Sequence, residues 1–185
     1  MSALIGAPML IAALVAASRA RETAPLDVVP ELDLQRYTGL WYEIARLPNE
    51  FQTQCVSDVT ASYSLRDDGR LDVVNRCRRA DGTVDEASGV ARRVDGRPPS
   101  VLEVRFAPAF LSPLPSVWGD YRVIALSPDY DWSLVGTPDR KNLWILSRDR
   151  TLDDATMEML RAEAAAQGFP VAQLMRTSQR GTPVH

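Results

Sequence analysis

Histidine is almost absent from this 185-residue chain: the only one is the last residue, His185. Catalysis through a Ser-His-Asp or Cys-His arrangement, and metal sites built from several imidazoles, therefore lack their raw material. Lysine is as scarce. Lys141 is the only one, so the other 20 of the 21 basic residues are arginine. Set against 24 acidic residues they leave a formal charge of −3, which supplies no basic stripe for nucleic acid. Cysteine occurs twice, as Cys55 and Cys77. Long apolar runs are missing too. The longest, at 9–17, is too short for a comfortable membrane-spanning helix. No metal and no cofactor is expected from these residues.

What is present begins with that run. It ends in small residues, and 1–20 read as a secretory signal peptide with Ala20 the last residue before cleavage, or as an anchor if the segment is retained. No Lys or Arg precedes the run. No Cys precedes Cys55 either, so the expectation is an exported protein without an N-terminal lipidation cysteine. In an oxidising compartment Cys55 and Cys77 read as a disulfide. Residues 21–31, with Pro25 and Pro30, read as a linker, and 179–185 as a C-terminal tail.

Between them the period is two. Runs rich in Val, Ile, Tyr and Trp occur at 40–47, 56–65, 70–78, 84–94, 100–107, 120–127, 131–137 and 142–148. Turn chemistry separates them: Asp67-Asp68-Gly69, Asp81-Gly82, Gly96 to Pro99, Ser127-Pro128-Asp129 and Pro138-Asp139-Arg140. Sequential strands with short connections predict an all-β, eight-stranded antiparallel up-and-down β-barrel over 32–178, which removes exposed sheet edges by closure. A short helical turn is expected at 32–37. One longer helix follows Thr151, which with Asp154 resembles a capping box. Met157, Leu160 and Ala164 share its apolar face, and Gly168 and Pro170 end it. It should pack outside the barrel, followed by a ninth strand over 171–176.

The motifs carry a family resemblance. Gly39-Leu40-Trp41-Tyr42-Glu43-Ile44 resembles the Gly-x-Trp motif that opens the first lipocalin strand. Leu143 to Arg148 resembles the motif that ends the eighth, and Ser127 to Asp131 falls at the turn between the sixth and seventh. The likeness covers roughly 32–178 and lies nearest the bacterial outer-membrane lipocalins of the apolipoprotein D-like group. It implies a calyx that binds a small hydrophobic ligand such as a fatty acid or lysophospholipid, in the periplasm or at the outer membrane. Counting strand directions places Trp41, Gly39 and Arg148 together at the closed end, where a guanidinium over an indole gains about 0.5–2 kcal/mol. It puts Cys55 and Cys77 at the open end. Ideal pairing sets Cys55 opposite position 80, so a bend is needed for bonding geometry.

Alternation names the expected cavity lining. On the first strand the face of Trp41 carries Glu43, Ala45 and Leu47, and Glu43 must find a partner or stay protonated. Val59 and Tyr63, Val104 and Phe106, Tyr121 and Val123, and Trp144 are the remaining candidates, with Ile124 and Leu126 turned outward. Arg140, Arg92 or Arg93 are candidates for meeting an anionic head. The 107–118 connection holds Phe110, Leu111, Leu114 and Trp118 with three prolines and no charge. Such a loop marks a ligand entry or a peripheral membrane contact. The leading expectation is a non-enzymatic lipid carrier. The alternatives are a lipocalin-scaffold enzyme acting on a lipid, and a module that binds a protein partner through 107–118.

Overall fold

The computed structural model describes residues 24–181. The expected signal segment at 1–20 and His185 lie outside the described residues. The period-two runs form β1 (Gly39–Arg46), β2 (Ser57–Leu65), β3 (Leu71–Arg78), β4 (Val84–Arg93), β5 (Val101–Arg105), β6 (Gly119–Leu126), β7 (Trp132–Gly136) and β8 (Leu143–Ser147). Each pairs antiparallel with the next, and β1 pairs with both β8 and β2, which closes the barrel. The strand expected over 100–107 ends early, at Arg105, where the chain leaves the ladder for the 107–118 loop.

Among the described residues two α-helices flank the barrel. Helix α1 (Leu34–Tyr37) is capped by Asp33, whose carboxylate accepts from the Gln35 N–H at 2.8 Å. It inserts Tyr37, fully buried, at the closed end. Helix α2 (Asp154–Ala166) buries Met157, Leu160 and Ala164, the face read from the sequence. Its cap is Asp153 rather than Thr151, because the Asp153 carboxylate takes both the N–H and the hydroxyl of Thr156 (2.9 and 2.7 Å). Gly168 has φ +89°, the left-handed geometry that a residue just past a helix end adopts. The expected ninth strand shrinks to β9 (Met175–Arg176), since 171–173 form a 3-10 turn instead.

The barrel wall separates two apolar clusters. The inner one holds Trp41, Tyr63, Leu71, Val73, Leu102, Val123 and Val135. The outer one lies between the wall and α2 and holds Tyr42, Ile44, Ala45, Leu47, Ile124, Leu134 and Ile145. Strict alternation would not produce these memberships. A bulge between Glu43 and Ala45 lets Ile44 and Ala45 both face outward, and Leu47 follows them. Ala45 is therefore packed beneath α2 and does not line the cavity. A second irregularity between Val123 and Ala125 does the same on β6. Ile124 and Ala125 lie on the outer side and Leu126 turns back to the inner cluster, the reverse of the parity expected for Leu126. An extra residue in one strand reverses every later side chain, so one bulge relocates a whole half-strand.

The segments read as linker and tail are both docked. Val29 donates its N–H to Val123 O (3.0 Å), and Gln167 exchanges hydrogen bonds with the backbone of Asp27 (3.0 and 3.1 Å). At the other end, residues 175–181 lie along the seam where β1 and β2 part company. The β1–β2 ladder stops at Tyr42 and Thr60. Beyond it β9 pairs with β1. The Gln179 amide then donates to Glu43 O and Val59 O (2.9 and 2.8 Å), joining the two strands.

Asp58 anchors this strap. It is buried at φ +53°, donates its N–H to Ser178 O (2.7 Å), and accepts at its carboxylate from Gly181 N (2.7 Å), Ser57 Oγ (2.9 Å) and Arg78 Nε (3.3 Å). Burial alone would raise the carboxyl. The Gly181 N–H, the Ser57 hydroxyl and Arg78 outweigh it and hold the group below its ordinary 3.8. A depressed folded-state value adds stability above the ordinary value and loses it as pH falls through the depressed one. Asp58→Asn should therefore destabilise the protein at neutral pH and flatten the decline in urea midpoint between about pH 5 and about pH 2. An unchanged slope over that window would remove Asp58 from the account of acid sensitivity.

Candidate ligand-binding cavity

The barrel encloses a cavity of about 650 Å³. Its walls come from Val59, Ala61 and Tyr63 on β2, Val73, Asn75 and Cys77 on β3, Val104 at the end of β5, Tyr121 on β6 and Trp144 and Leu146 on β8. Phe106 completes the set. Of the eight lining residues read from alternation, Val59, Tyr63, Val104, Phe106, Tyr121 and Trp144 are there. Ala45 is not, for the reason given above. Val123 points inward but is fully buried in the solid floor beneath the cavity.

The closed end is built as its motifs imply. The Arg148 guanidinium lies 3.8 Å from the centre of the Trp41 ring. Its nitrogens donate to Leu40 O (2.9 Å), Thr38 O (2.8 Å), Arg36 O (2.9 Å) and Tyr130 O (3.2 Å), so one side chain ties α1, β1 and the 127–131 turn together. Gly39 is required twice over. It sits at φ +96°, and a Cβ there would come within 3.2 Å of Arg148 Nη1. The Trp41 indole N–H is satisfied by Tyr37 O (2.9 Å).

The open end is held by the disulfide between Cys55 and Cys77, whose Cα atoms are 5.5 Å apart. The offset expected from ideal pairing is absorbed by a register shift between Ser57 and Thr60 at the start of β2 and by the turn before it, where Cys55 N–H bonds Gln52 O (3.0 Å) instead of continuing the ladder. That turn brings Gln52 and Gln54, which sequence reasoning missed, to the mouth. Glu43 has found its partners. Its Oε1 accepts from Arg46 Nη1 (2.6 Å) and the Thr177 hydroxyl, and its Oε2 from Gln52 Nε2 (2.8 Å). The Gln52 oxygen in turn accepts from Trp144 Nε1 (3.0 Å) and Asn49 Nδ2 (2.7 Å). No signal in the sequence singles out Gln52, because the partner that places it across the mouth, Trp144, is distant in the chain.

The 107–118 loop folds into two short 3-10 turns, Ala109–Leu111 and Pro115–Val117. Trp118 pins it: the indole donates to Ser112 O (2.9 Å) and carries the Arg92 guanidinium at 3.8 Å. Ala107, Ser116, Val117 and Trp118 rim the cavity, whereas Phe110 (78% exposed) and Leu114 (49%) face solvent and Leu111 is half-buried. The three arginines considered for an anionic head are committed elsewhere. Arg92 pairs with Glu103 (2.8 Å), Arg93 donates to Leu32 O (3.1 Å), and Arg140 donates to the backbone oxygens of Gln167, Pro138 and Ala24 (3.1, 2.5 and 2.6 Å). Among the described lining residues Arg76 is the only cation, and it turns to Glu86 (2.8 Å).

At the inner end of the cavity four hydroxyls form a chain. Ser133 Oγ lies 3.0 Å from Tyr37 OH, Tyr37 OH 2.9 Å from Tyr121 OH, and Tyr121 OH 3.1 Å from Tyr63 OH. Burial raises the Tyr63, Tyr121 and Tyr37 hydroxyls above their ordinary 10.0, so they stay neutral O–H groups.

The chain matches a family model described as a lipocalin-like domain over residues 32–179. It is 38% identical over 169 residues to the outer membrane lipoprotein Blc of Escherichia coli, covering 91% of each chain. It is 37% identical over 164 residues to temperature-induced lipocalin-1 of Arabidopsis thaliana (88% of this chain, 87% of the relative). To apolipoprotein D of Macaca fascicularis it is 31% identical over 170 residues (87% and 84%). Among solved structures, apocrustacyanin C1 superposes with a TM-score of 0.65 at 16% identity, over 81% of each chain, which speaks to the fold alone. With its motifs, its closed barrel and these relatives in agreement, the chain belongs to the lipocalin-like family.

Proposed function

We propose that the protein binds and carries a small hydrophobic molecule without converting it. One observation carries the reading: a cavity of about 650 Å³, walled by Val59, Ala61, Val73, Val104, Phe106 and Leu146, reaches into a barrel whose other end is sealed by Trp41 and Arg148. That volume lies within the range of small-molecule sites, about 300–1,000 Å³. The wall suits an acyl chain or a comparable apolar body. Family membership supports the same reading. A fatty acid or lysophospholipid would keep its charged head at the mouth, in water, because the apolar inner wall offers a charge no partner. An enzymatic role is disfavoured by chemistry: both Glu43 oxygens already accept donors, and both cysteines are joined.

We further read the protein as exported and envelope-associated. The apolar run at 9–17, the disulfide and the likeness to an outer membrane lipoprotein support this. The exposure of Phe110 and Leu114 supports a peripheral membrane contact at the mouth as part of the same reading.

Mass spectrometry of a lipid extract from protein purified out of an exporting host tests the carrier reading. Co-purified apolar molecules in near-stoichiometric amount are expected. A protein that neither brings down such molecules nor takes up an apolar fluorophore would sink it. For the membrane contact, Phe110→Ser with Leu114→Ser should cut association with phospholipid vesicles several-fold and slow ligand uptake while leaving the melting temperature unchanged. Wild-type association by the folded double variant would end that idea.

A further inference from the structure

The four-hydroxyl chain at the inner end of the cavity has one proton too many. Ser133, Tyr37, Tyr121 and Tyr63 each carry one O–H donor, and three links join them. Whichever way the links run, one O–H is left without an acceptor inside the chain. Among the described residues no other acceptor meets these hydroxyls. If the spare proton sat on Ser133 or Tyr37, it would point into fully buried core. An unmet donor there costs about 1–3 kcal/mol. If it sits on Tyr63 or Tyr121, it faces the cavity that both residues line. The chain is therefore oriented outward from Ser133 through Tyr37 to Tyr121, with the surplus proton on Tyr121 or Tyr63. Successive hydroxyls pointing the same way polarise one another and strengthen the terminal donor.

We infer that the inner end of the cavity is a hydrogen-bond donor site, and that the preferred ligand is an apolar molecule bearing a neutral acceptor oxygen, such as a ketone, aldehyde or ester carbonyl, at the end that enters first. This rests on the carrier reading and narrows it. A plain hydrocarbon tail fills the volume but leaves the donor unmet. A carboxylate would have to shed its water against Ala61, Val73, Val104 and Leu146, with no free guanidinium or ammonium among the described lining residues to meet it. A neutral carbonyl accepts the proton at little desolvation cost. The surrounding geometry keeps the donor in place: Tyr37 packs at a tilt against Trp41 (ring centres 4.9 Å) and Tyr63 (5.5 Å), and Tyr63 meets Tyr121 edge-on at 6.4 Å. The rings cannot swing away without breaking the floor.

The test uses two probes of equal chain length, decan-2-one and dec-1-ene, displacing a pre-bound apolar fluorophore from the full-length protein. With Tyr63 alone gone the surplus proton would pass to Tyr121, so Tyr63→Phe is combined with Tyr121→Phe, which removes both cavity-facing hydroxyls and keeps the rings, and thermal melting checks that the double variant is folded. It should weaken decan-2-one about threefold to tenfold, the size of one net hydrogen bond, and leave dec-1-ene within about twofold. The carbonyl stretch of bound ¹³C-labelled ketone should lie at lower wavenumber than in hexane, and should return toward the hexane value in the double variant. Equal effects on both probes, or an unshifted carbonyl in the wild type, would overturn the donor site while leaving the carrier intact. Failure of both probes to displace the fluorophore would overturn the two readings together.

Discussion

Trp41→Ala is expected to lower the unfolding free energy by about 3–5 kcal/mol, as large aromatic truncations in packed cores do. Trp41 is fully buried. Its loss opens a void between Tyr37 and the Arg148 guanidinium, which now lie 4.9 and 3.8 Å from the indole ring, measured between ring centres and from Cζ respectively. It also releases Tyr37 O from the indole N–H. Neighbouring groups cannot collapse into the gap. Arg148 is fixed by the carbonyls of Leu40, Thr38, Arg36 and Tyr130, and Tyr37 by the hydroxyl chain. The cost should therefore lie toward the upper part of the range. Trp41→Phe, which keeps an aromatic face under the guanidinium, should lose much less. Urea denaturation monitored by far-UV circular dichroism measures both. A loss below about 1 kcal/mol for Trp41→Ala would show that the closed end is not the keystone assigned to it.

Replacing Cys55 and Cys77 together by serine should cost about 3 kcal/mol, the chain-entropy value for a loop of this size. The bond closes a separation of 22 residues that spans the β2–β3 hairpin. Its effect should not be confined to stability. Cys55 follows the turn that carries Gln52 and Gln54, and Gln52 links Glu43 to Trp144 across the mouth. With the tether cut, residues 50–54 lose their anchor on β3, and bound ligand should leave several-fold faster. Denaturation with and without a reductant gives the first quantity, and stopped-flow release of an apolar fluorophore gives the second. A double variant within about 1 kcal/mol of the parent would mean that the mouth is held by its hydrogen bonds alone.

Both predictions concern residues that the sequence brings forward readily. Trp41, Gly39 and Arg148 stand in motifs whose order matches a barrel, and the sequence holds only two cysteines to pair. The cavity wall is legible to a similar depth. Val59 and Tyr63, or Val104 and Phe106, point inward because their strands obey a period of two where those residues lie. Ala45 and Leu126 fail the same logic because a bulge precedes each of them. Nothing local marks those bulges. They arise where β1 and β6 pass under α2, and both place an extra side chain in the outer cluster with Met157 and Leu160.

The functional detail is least legible where it depends on meetings between distant residues. Arg92 and Arg140 looked available because arginines near a mouth usually are. Trp118 and the backbone at residue 24 had to be placed before either could be recognised as spent. Residues 179–181 looked like a tail because polar terminal segments usually are. The split between β1 and β2 that Gln179 bridges is visible only once the ladder is seen to stop.

From the sequence alone come the barrel, its direction of closure, the outer helix and the expectation of a hydrophobic guest. These rest on short-range periodicity, turn chemistry and motif order, which any segment expresses by itself. The tertiary structure alone decides where that alternation breaks, how Glu43 is neutralised and what lies at the inner end. Hydroxyls from Tyr37, Tyr63, Tyr121 and Ser133 come from four separate elements. Their shared surplus proton exists only because the closed barrel brings them within hydrogen-bond reach.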